Sequence, residues 1–264
     1  MSYLKNYQLK ILSNQMIKFA AIIEARMNSN RLPGKILFKS CGKPMLKHLV
    51  DRIKKVKKIN RIIIATTTNK KDDLLIKFAK KNRIMFYRGS ELNVKKRVLD
   101  AANKFKVKNI VSITSDCPII DYNLISQVIE TFENHKVDFV SNCDFRSYPD
   151  GMDVAVYKTN ALKKSYKLTK SKYYREHVTL FMKHNKKIFN QINIFAPENI
   201  HYPKLGLTLD EYKDYVLIDK ILNHFRKEKN IFFTCEDVVK YINSNKTLKK
   251  INSQVRRKKI KVIF

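Results

Sequence analysis

At 264 residues, with 44% hydrophobic and 30% charged side chains, the chain has an ordinary globular balance and enough length for one large α/β domain. Its charge is lopsided: 55 Lys+Arg against 23 Asp+Glu leave a formal net charge of +32, which raises polyanions or a membrane surface as partners. The basic residues fall on nearly every segment rather than on one patch, beside an excess of Lys, Asn, Ile, Phe and Tyr that A/T-rich codons favour, so nucleic acid is not expected as a partner.

The start MSYLKNYQLKILSNQ lacks a contiguous apolar core and a small-residue cleavage site. No apolar run approaches the length that spans a bilayer. Cys41, Cys117, Cys143 and Cys235 show no metal-ligand spacing and read as reduced thiols. Together these predict a cytoplasmic protein with no membrane partner.

Along the chain, residues 1–15 read as a disordered extension and Met16 as a candidate start. Residues 16–245 read as one folded domain, and 246–264 as a solvated basic tail holding Arg256, Arg257, Lys258 and Lys259. Phe19 to Ala25 is a nearly continuous apolar run, the pattern of a central parallel strand. A helix follows from Pro44, with Leu46, Leu49, Val50, Ile53 and Val56 on one face. Arg61 to Thr67 is a strand, followed by a short helix with Leu74, Leu75, Phe78 and Ala79 inward.

Ile84 to Tyr87 predicts a third strand and Val94 to Phe105 a helix burying Val98, Leu99, Ala102 and Phe105. Asn109 to Ile113 is a fourth strand, after which Asp121 caps a helix burying Leu124, Ile125, Val128 and Phe132. This alternation implies a mostly parallel, doubly wound sheet, with ligands beyond the carboxyl ends of its strands. Later, Val137 to Ser141, Asp153 to Tyr157, Ile188 to Phe195 and Leu205 to Leu209 read as strands. Helices follow through Tyr215, Ile218 and Leu222, and from Thr234 with Asp237.

The segment Glu24-Ala-Arg26-Met-Asn-Ser29-Asn-Arg31-Leu-Pro33-Gly34-Lys35 follows the first strand directly. Three cations, a hydroxyl and a glycine there suit a triphosphate, whose roughly four negative charges need fixed positive partners. Gly34-Lys35 and Gly42-Lys43 lack both the earlier glycine and the following Ser/Thr of a Walker loop, and no Gly-x-Gly-x-x-Gly occurs.

The stretch IIEARMNSNRLPGKIL resembles the N-terminal signature of nucleotide–sugar-acid cytidylyltransferases, such as CMP-Kdo and CMP-acylneuraminate synthetases. It is most similar to the branch typified by spore coat polysaccharide biosynthesis protein F. The resemblance continues through GKPMLKHLVDRIKK, SITSDCPIID, SNCDFRSYPDGMDVAVY, REHVT, LGLTLDEYKDYVLI and DVVKYINSNKTLKKINSQV, covering nearly all of residues 17 to 255.

The resemblance implies a Rossmann-like nucleotidyltransferase fold, related to that of glycosyltransferase A enzymes, and a homodimer. It implies transfer of CMP from CTP to an acidic, sugar-like acceptor. Arg26, Ser29, Arg31 and Lys35 are assigned to CTP phosphates, with Ala25, Arg97 and Ser115 as further nucleotide contacts. Arg26, Arg31, Lys35 and Asp116 are the expected catalytic set. Asp116 and Asp210 match the two carboxylates that hold Mg²⁺; each follows a short apolar strand, although either could instead cap the next helix.

The resemblance also places Asp150, Gly151 and Asp153 near the acceptor; Arg175, Glu176 and His177, charged residues opening a helix, are the further acceptor candidates, for which a structural ion pair or subunit contact is the other reading. Lys95-Lys96 departs from the family's usual Leu-Asp. A glycosyltransferase of the same fold is a rival, without Asp-x-Asp here to support it. A polyanion-binding module is the other, and it predicts steeply salt-dependent binding.

Overall fold

A computed structural model describes residues 15–257 of the chain; all but the last residue of the expected extension at 1–15, and the residues from 258 onward, lie outside them. Ile17–Glu24 (β1) is an interior strand, third in order, of a seven-stranded sheet. Phe19, Ala20, Ala21, Ile22 and Ile23 are all buried, as a strand covered on both faces requires. Phe19, Ala21 and Ile23 pack into one core and Ala20 and Ile22 into the other, following the two-residue period of a strand.

From β1 the chain passes the short hairpin Lys39–Ser40 (β2) and Lys43–Pro44 (β3) into helix Met45–Ile53 (α1). Pro44 stands just before the helix rather than inside it. Leu46, Leu49, Val50 and Ile53 are fully buried on the expected face, worth about 1.5–3 kcal/mol each. Arg61–Thr67 (β4) then pairs parallel to β1, and Asp73–Lys81 (α2) leads to Met85–Gly89 (β5), parallel to β4. In α2 the expected inward Leu74 is instead 48% exposed and Ile76 is buried.

The direction then reverses. Val94–Lys104 (α3) crosses on the opposite face and delivers Val107–Thr114 (β6) to the other side of β1. The carboxyl ends of β1 and β6 thus flank the switch point, where open α/β sheets bind ligands. Tyr122–Asn134 (α4) follows, capped by Asp121 as expected, and then Phe139–Ser141 (β7) and Ala155–Lys158 (β8). Strand β8 runs antiparallel to both β6 and β7, and the sheet order is β5-β4-β1-β6-β8-β7, completed beside β7 by Gln191–Asn193 (β9).

Helices Thr159–Leu168 (α5), Lys172–Glu176 (α6) and Leu180–His184 (α7) precede the edge strand Gln191–Asn193 (β9). Leu205 to Leu209 is not a strand, contrary to its apolar pattern. Gly206 forms an isolated bridge with Asp150, outside the sheet, while the segment's buried side chains Leu207 and Leu209 supply the hydrophobicity.

Tyr212–Lys227 (α8) and Cys235–Ser244 (α9) close the large core, α9 through the Thr234–Asp237 capping box. The basic tail expected from residue 246 is not simply solvated. Lys246–Ile251 forms helix α10, with Leu248, Asn252 and Val255 buried, and Arg257 pairs with a buried carboxylate. Among the described residues no helix is long and apolar enough to cross a membrane.

Candidate active site

The loop after β1 is anchored before it reaches any ligand. Asp72, buried beneath it, accepts the Met27 N–H at 2.7 Å and the Thr66 hydroxyl at 3.0 Å. Met27 carbonyl in turn accepts the Gly34 N–H at 2.9 Å, and Ser29 Oγ accepts the Leu32 N–H at 3.4 Å. Gly34 has φ 71°, the left-handed region that glycine enters without a Cβ penalty. That turn sends Lys35 back under the loop, where it is 8% exposed.

Lys35 Nζ lies 3.1 Å from Asp116 Oδ2 and 3.0 Å from Asp210 Oδ1. Arg31 Nη2 reaches the same Asp210 oxygen at 2.7 Å. Burial opposes the Lys35 charge, but the Asp116 and Asp210 carboxylates outweigh it and hold the ammonium above its usual range. For Asp210, burial works against ionisation, yet Lys35, Arg31 and Arg257 together hold its carboxyl below the usual range.

The two carboxylates converge from residues 94 positions apart because 205–209 is tied to the loop after β6. Leu209 N–H donates to the Asp116 carbonyl at 2.8 Å and Thr208 Oγ1 to the same oxygen at 3.3 Å. Asp210 does not cap α8; Glu211 does, in a reciprocal box with Asp214. Nor is Asp116 a helix cap, since Asp121 caps α4.

These groups line a cavity of about 680 Å³, within the range of small-molecule sites. The expected nucleotide residues Ala25, Arg26, Ser29, Arg31, Lys35, Arg97 and Ser115 all border it, as do the expected metal residues Asp116 and Asp210 and the acceptor candidates Glu176 and His177. Arg97 is 3% exposed and donates through Nη1 to the Glu91 carbonyl at 3.4 Å and to that of Ser90. Burial lowers its pKa, with Glu24 the main opposing charge.

Asp150, Gly151 and Asp153 lie outside that lining. Arg146 forks across them, at 3.0 Å to Asp150 Oδ1 and 2.8 Å to Asp153 Oδ2. Gly151 has φ 106°, and a Cβ there would sit 2.5 Å from the Leu207 carbonyl carbon, so its place is set by backbone packing against 205–209. Arg175 also stays outside the cavity, its guanidinium 4.7 Å from the centre of the Tyr166 ring.

Sequence reading missed four residues here. Glu24 borders the cavity, and burial pushes its carboxyl up to about 7 against the attraction of Arg97. Arg146 looks like one cation among 55 Lys+Arg. Asp214 and Arg257 form a bidentate pair with contacts of 2.6 and 3.0 Å; one looked like an ordinary helix acid, the other part of a tail. Only the acidic first turn of α8 signalled Asp214.

Chemically, the arrangement offers a cationic rim for phosphates and two carboxylates that already share a cation. Among the described residues no three His, Cys, Asp or Glu are placed to hold a metal ion. A divalent cation would therefore depend on Asp116 and Asp210, completing its shell from water and ligand oxygens.

Residues 20–257 match the family described as cytidylyltransferase. The chain is 33% identical to protein MJ1063 of Methanocaldococcus jannaschii, over 92% of this chain and 97% of that one. It is 27% identical to the spore coat polysaccharide biosynthesis protein SpsF of Bacillus subtilis, over 85% and 93%. A solved cytidylyltransferase from Leptospira borgpetersenii superposes with a TM-score of 0.84 at 28% identity, over 89% and 98%. With a parallel sheet, a phosphate-suited loop and a match running almost from end to end, the chain belongs to the cytidylyltransferase family and is a nucleotidyltransferase.

Proposed function

We propose that the protein transfers CMP from CTP to an oxygen of an acidic, sugar-like acceptor, releasing pyrophosphate, in the making of surface-polysaccharide precursors. The observation that carries this reading is Lys35 Nζ bridging Asp116 and Asp210 at the carboxyl edge of β1 and β6. The name of SpsF, a polysaccharide biosynthesis protein, supports the pathway class.

In this reading the acceptor oxygen attacks the α-phosphorus, and the bond from that phosphorus to the pyrophosphate oxygen breaks in line. Arg26, Arg31 and Lys35 bind the β- and γ-phosphates and stabilise the charge that gathers on pyrophosphate. Positioning and charge neutralisation then supply most of the acceleration, as in phosphoryl transfer generally. Ser115 and Arg97 line the cavity and are taken as nucleotide contacts, and Glu176 and His177, which also line it, as acceptor contacts.

Asp116 and Asp210 would hold Mg²⁺ in this reading: their oxygens lie within 3.1 Å of one shared ammonium nitrogen, close enough to share a cation once Lys35 turns to the phosphates. When bound there, Mg²⁺ would supply charge neutralisation at the α-phosphate. A homodimer and a cytoplasmic location belong to the same proposal, the first supported by the family resemblance and the second by the four cysteines that read as reduced thiols.

Thermal stabilisation by CTP, UTP, ATP and GTP, each with and without Mg²⁺, tests the nucleotide half. Ligand at 100 times its Kd adds about 2.7 kcal/mol. A selective, Mg²⁺-enhanced CTP shift, weakened in Asp116→Ala and Arg31→Ala, is expected. Equal shifts with every triphosphate, abolished by moderate salt and unchanged in both variants, would sink the reading.

A further inference from the structure

The C-terminal segment reaches into the site from a direction the cavity-lining loops do not cover. Arg257 grips Asp214 with both ends of its guanidinium, Nη2 to Oδ1 at 2.6 Å and Nη1 to Oδ2 at 3.0 Å. The Asp214 side chain is fully buried. Its Oδ2 accepts the backbone N–H groups of Asp210 at 3.0 Å and Glu211 at 2.8 Å. Asn252 Nδ2 donates to Asp214 Oδ1 at 2.8 Å and to the Gly206 carbonyl at 2.9 Å.

One buried carboxylate therefore fixes the peptide that carries Asp210, and Arg257 neutralises that carboxylate. The same guanidinium stands 3.7 Å from Asp210 Oδ2 and 3.8 Å from Asp150 Oδ2, between the two acidic sides of the site. Arg31 Nη1 also meets the Arg256 carbonyl at 3.5 Å, so the segment touches the phosphate loop.

Room for this arrangement comes from Gly206. A Cβ there would lie 2.0 Å from Arg257 Nη2, so a side chain at 206 would require the guanidinium to shift from its present place. The positioning contact thus has a glycine on one side and a buried acid on the other. A buried carboxylate without its cation is costly, because desolvation is no longer offset.

We infer that Arg257 is a positioning residue of this site: through Asp214 it holds the Asp210 peptide so that the Asp210 carboxylate faces Lys35 and Asp116. The inference deepens the proposed function and rests on its reading of Asp210. Arg257 acts through Asp214, not on the reacting atoms. A lysine in its place carries the charge without the two-pronged geometry, so it replaces the guanidinium only in part.

Amide hydrogen exchange across residues 205–214, with no ligand present, tests the clamp directly. It is run on wild type, Arg257→Gln, Arg257→Lys and Gly206→Ala; the last displaces the guanidinium without removing it. Exchange at Asp210 and Glu211 should speed up at least tenfold in Arg257→Gln and Gly206→Ala, less in Arg257→Lys, with β1 and β6 unchanged. The same proteins are then titrated with Mg²⁺ at fixed CTP, following thermal stability.

Half-maximal stabilisation should need several-fold more Mg²⁺ in the two disrupted variants, while the shift with CTP alone holds. Unchanged exchange at Asp210 and Glu211 in both variants overturns the inference. So does faster exchange with an unaltered Mg²⁺ requirement, which would make Arg257 merely structural. If wild type itself ignores CTP while exchange speeds up as expected, the proposed function falls and the hold of Arg257 on the Asp210 peptide stands.

Discussion

Leu209 donates its backbone N–H to the carbonyl of Asp116 at 2.8 Å, and that bond brings the loop after β6 and the segment before α8 into register. One residue further, Asp210 turns its carboxylate toward Lys35, which Asp116 also meets. The site is therefore assembled by main-chain pairing first and by charge second. Its side chains inherit their positions from a bond that any sequence with the same backbone would make.

Lys35→Met removes the cation between Asp116 and Asp210. Breaking a buried pair costs about 3–5 kcal/mol. Here the two acidic side chains are 27% and 14% exposed, so solvent screening trims the expected loss to about 1–3 kcal/mol. Asp210 has a native pKa below 3.8, so its contribution is present above that value and lost as pH falls through the lower native one. Lys35 has a native pKa above 10.5, so its contribution is full below 10.5 and lost as pH rises beyond.

Urea denaturation should accordingly show a penalty that is flat between about pH 5 and 9 and shrinks in acid. Added Mg²⁺ should recover part of it in the variant. A variant as stable as wild type across that window would mean that the pair does not stabilise the fold.

Glu24→Gln should stabilise the protein at neutral and alkaline pH. Burial raises the Glu24 pKa from 4.5 to about 7, so the native state binds the proton more tightly than the unfolded chain. Stability contributed this way is present below pH 4.5 and falls as pH rises to about 7, beyond which it stays level. A shift of that size is worth about 3 kcal/mol at 1.36 kcal/mol per unit. Melts at pH 4.5 and 8 check it: the variant and wild type should match at the lower pH and separate at the higher one. Parallel curves at both would show that Glu24 ionises freely in the native state.

Gly151→Ala should be severely destabilising. The left-handed φ of 106° is unfavourable for alanine, and its Cβ would meet the Leu207 carbonyl carbon at 2.5 Å. Strain and displaced backbone together should cost about 2–4 kcal/mol. Because Asp150 N–H donates to the Leu205 carbonyl and Leu207 N–H to the Asp150 carbonyl, the damage spreads to the segment that carries Asp210. CTP-induced stabilisation should weaken along with the melting temperature. A variant that melts like wild type would mean that 205–209 yields easily.

The half of the site built on β1 was legible because local chemistry writes it down. A buried apolar strand followed at once by Arg26, Ser29, Arg31 and Lys35 leaves little else for that loop to do. The second half was legible only in part. Leu205 to Leu209 has the apolar character of a strand, but its N–H and C=O groups go to Asp150 and Asp116, not to a ladder. Asp214 and Arg257 were not legible, because their roles arise from a pairing across 43 residues that no periodicity records. Arg146 was hidden in the same way, its partners Asp150 and Asp153 being visible and its own charge indistinguishable from its neighbours'.

Lys95→Leu should raise stability at neutral pH and reverse the usual expectation for loss of a charge. Lys95 is fully buried on α3, and its Nζ donates to the Ser165 hydroxyl at 2.9 Å, a neutral partner. Its ring contact is Phe181, 5.6 Å from the ammonium. Burial, reinforced by the like charge of Arg175, pushes the lysine down to about 8. Between about 8 and 10.5 the unfolded chain binds more protons than the native one, so wild-type stability rises with pH there. Below 8 the native state carries the full penalty of a buried, unpaired cation.

Leucine lacks that charge and fills much of the same volume, leaving only the Ser165 hydroxyl without its donor. A gain of about 1–3 kcal/mol at pH 7 follows from the shift, less the lost hydrogen bond at about 1 kcal/mol. By pH 10.5 most of the gain should have vanished, because the native lysine is then neutral and the unfolded one is already half so. Guanidinium or thermal melts of the two proteins at pH 7 and 10.5 decide it. Leucine that destabilises equally at both pH values would show that the ammonium has a partner at Lys95 strong enough to offset its burial.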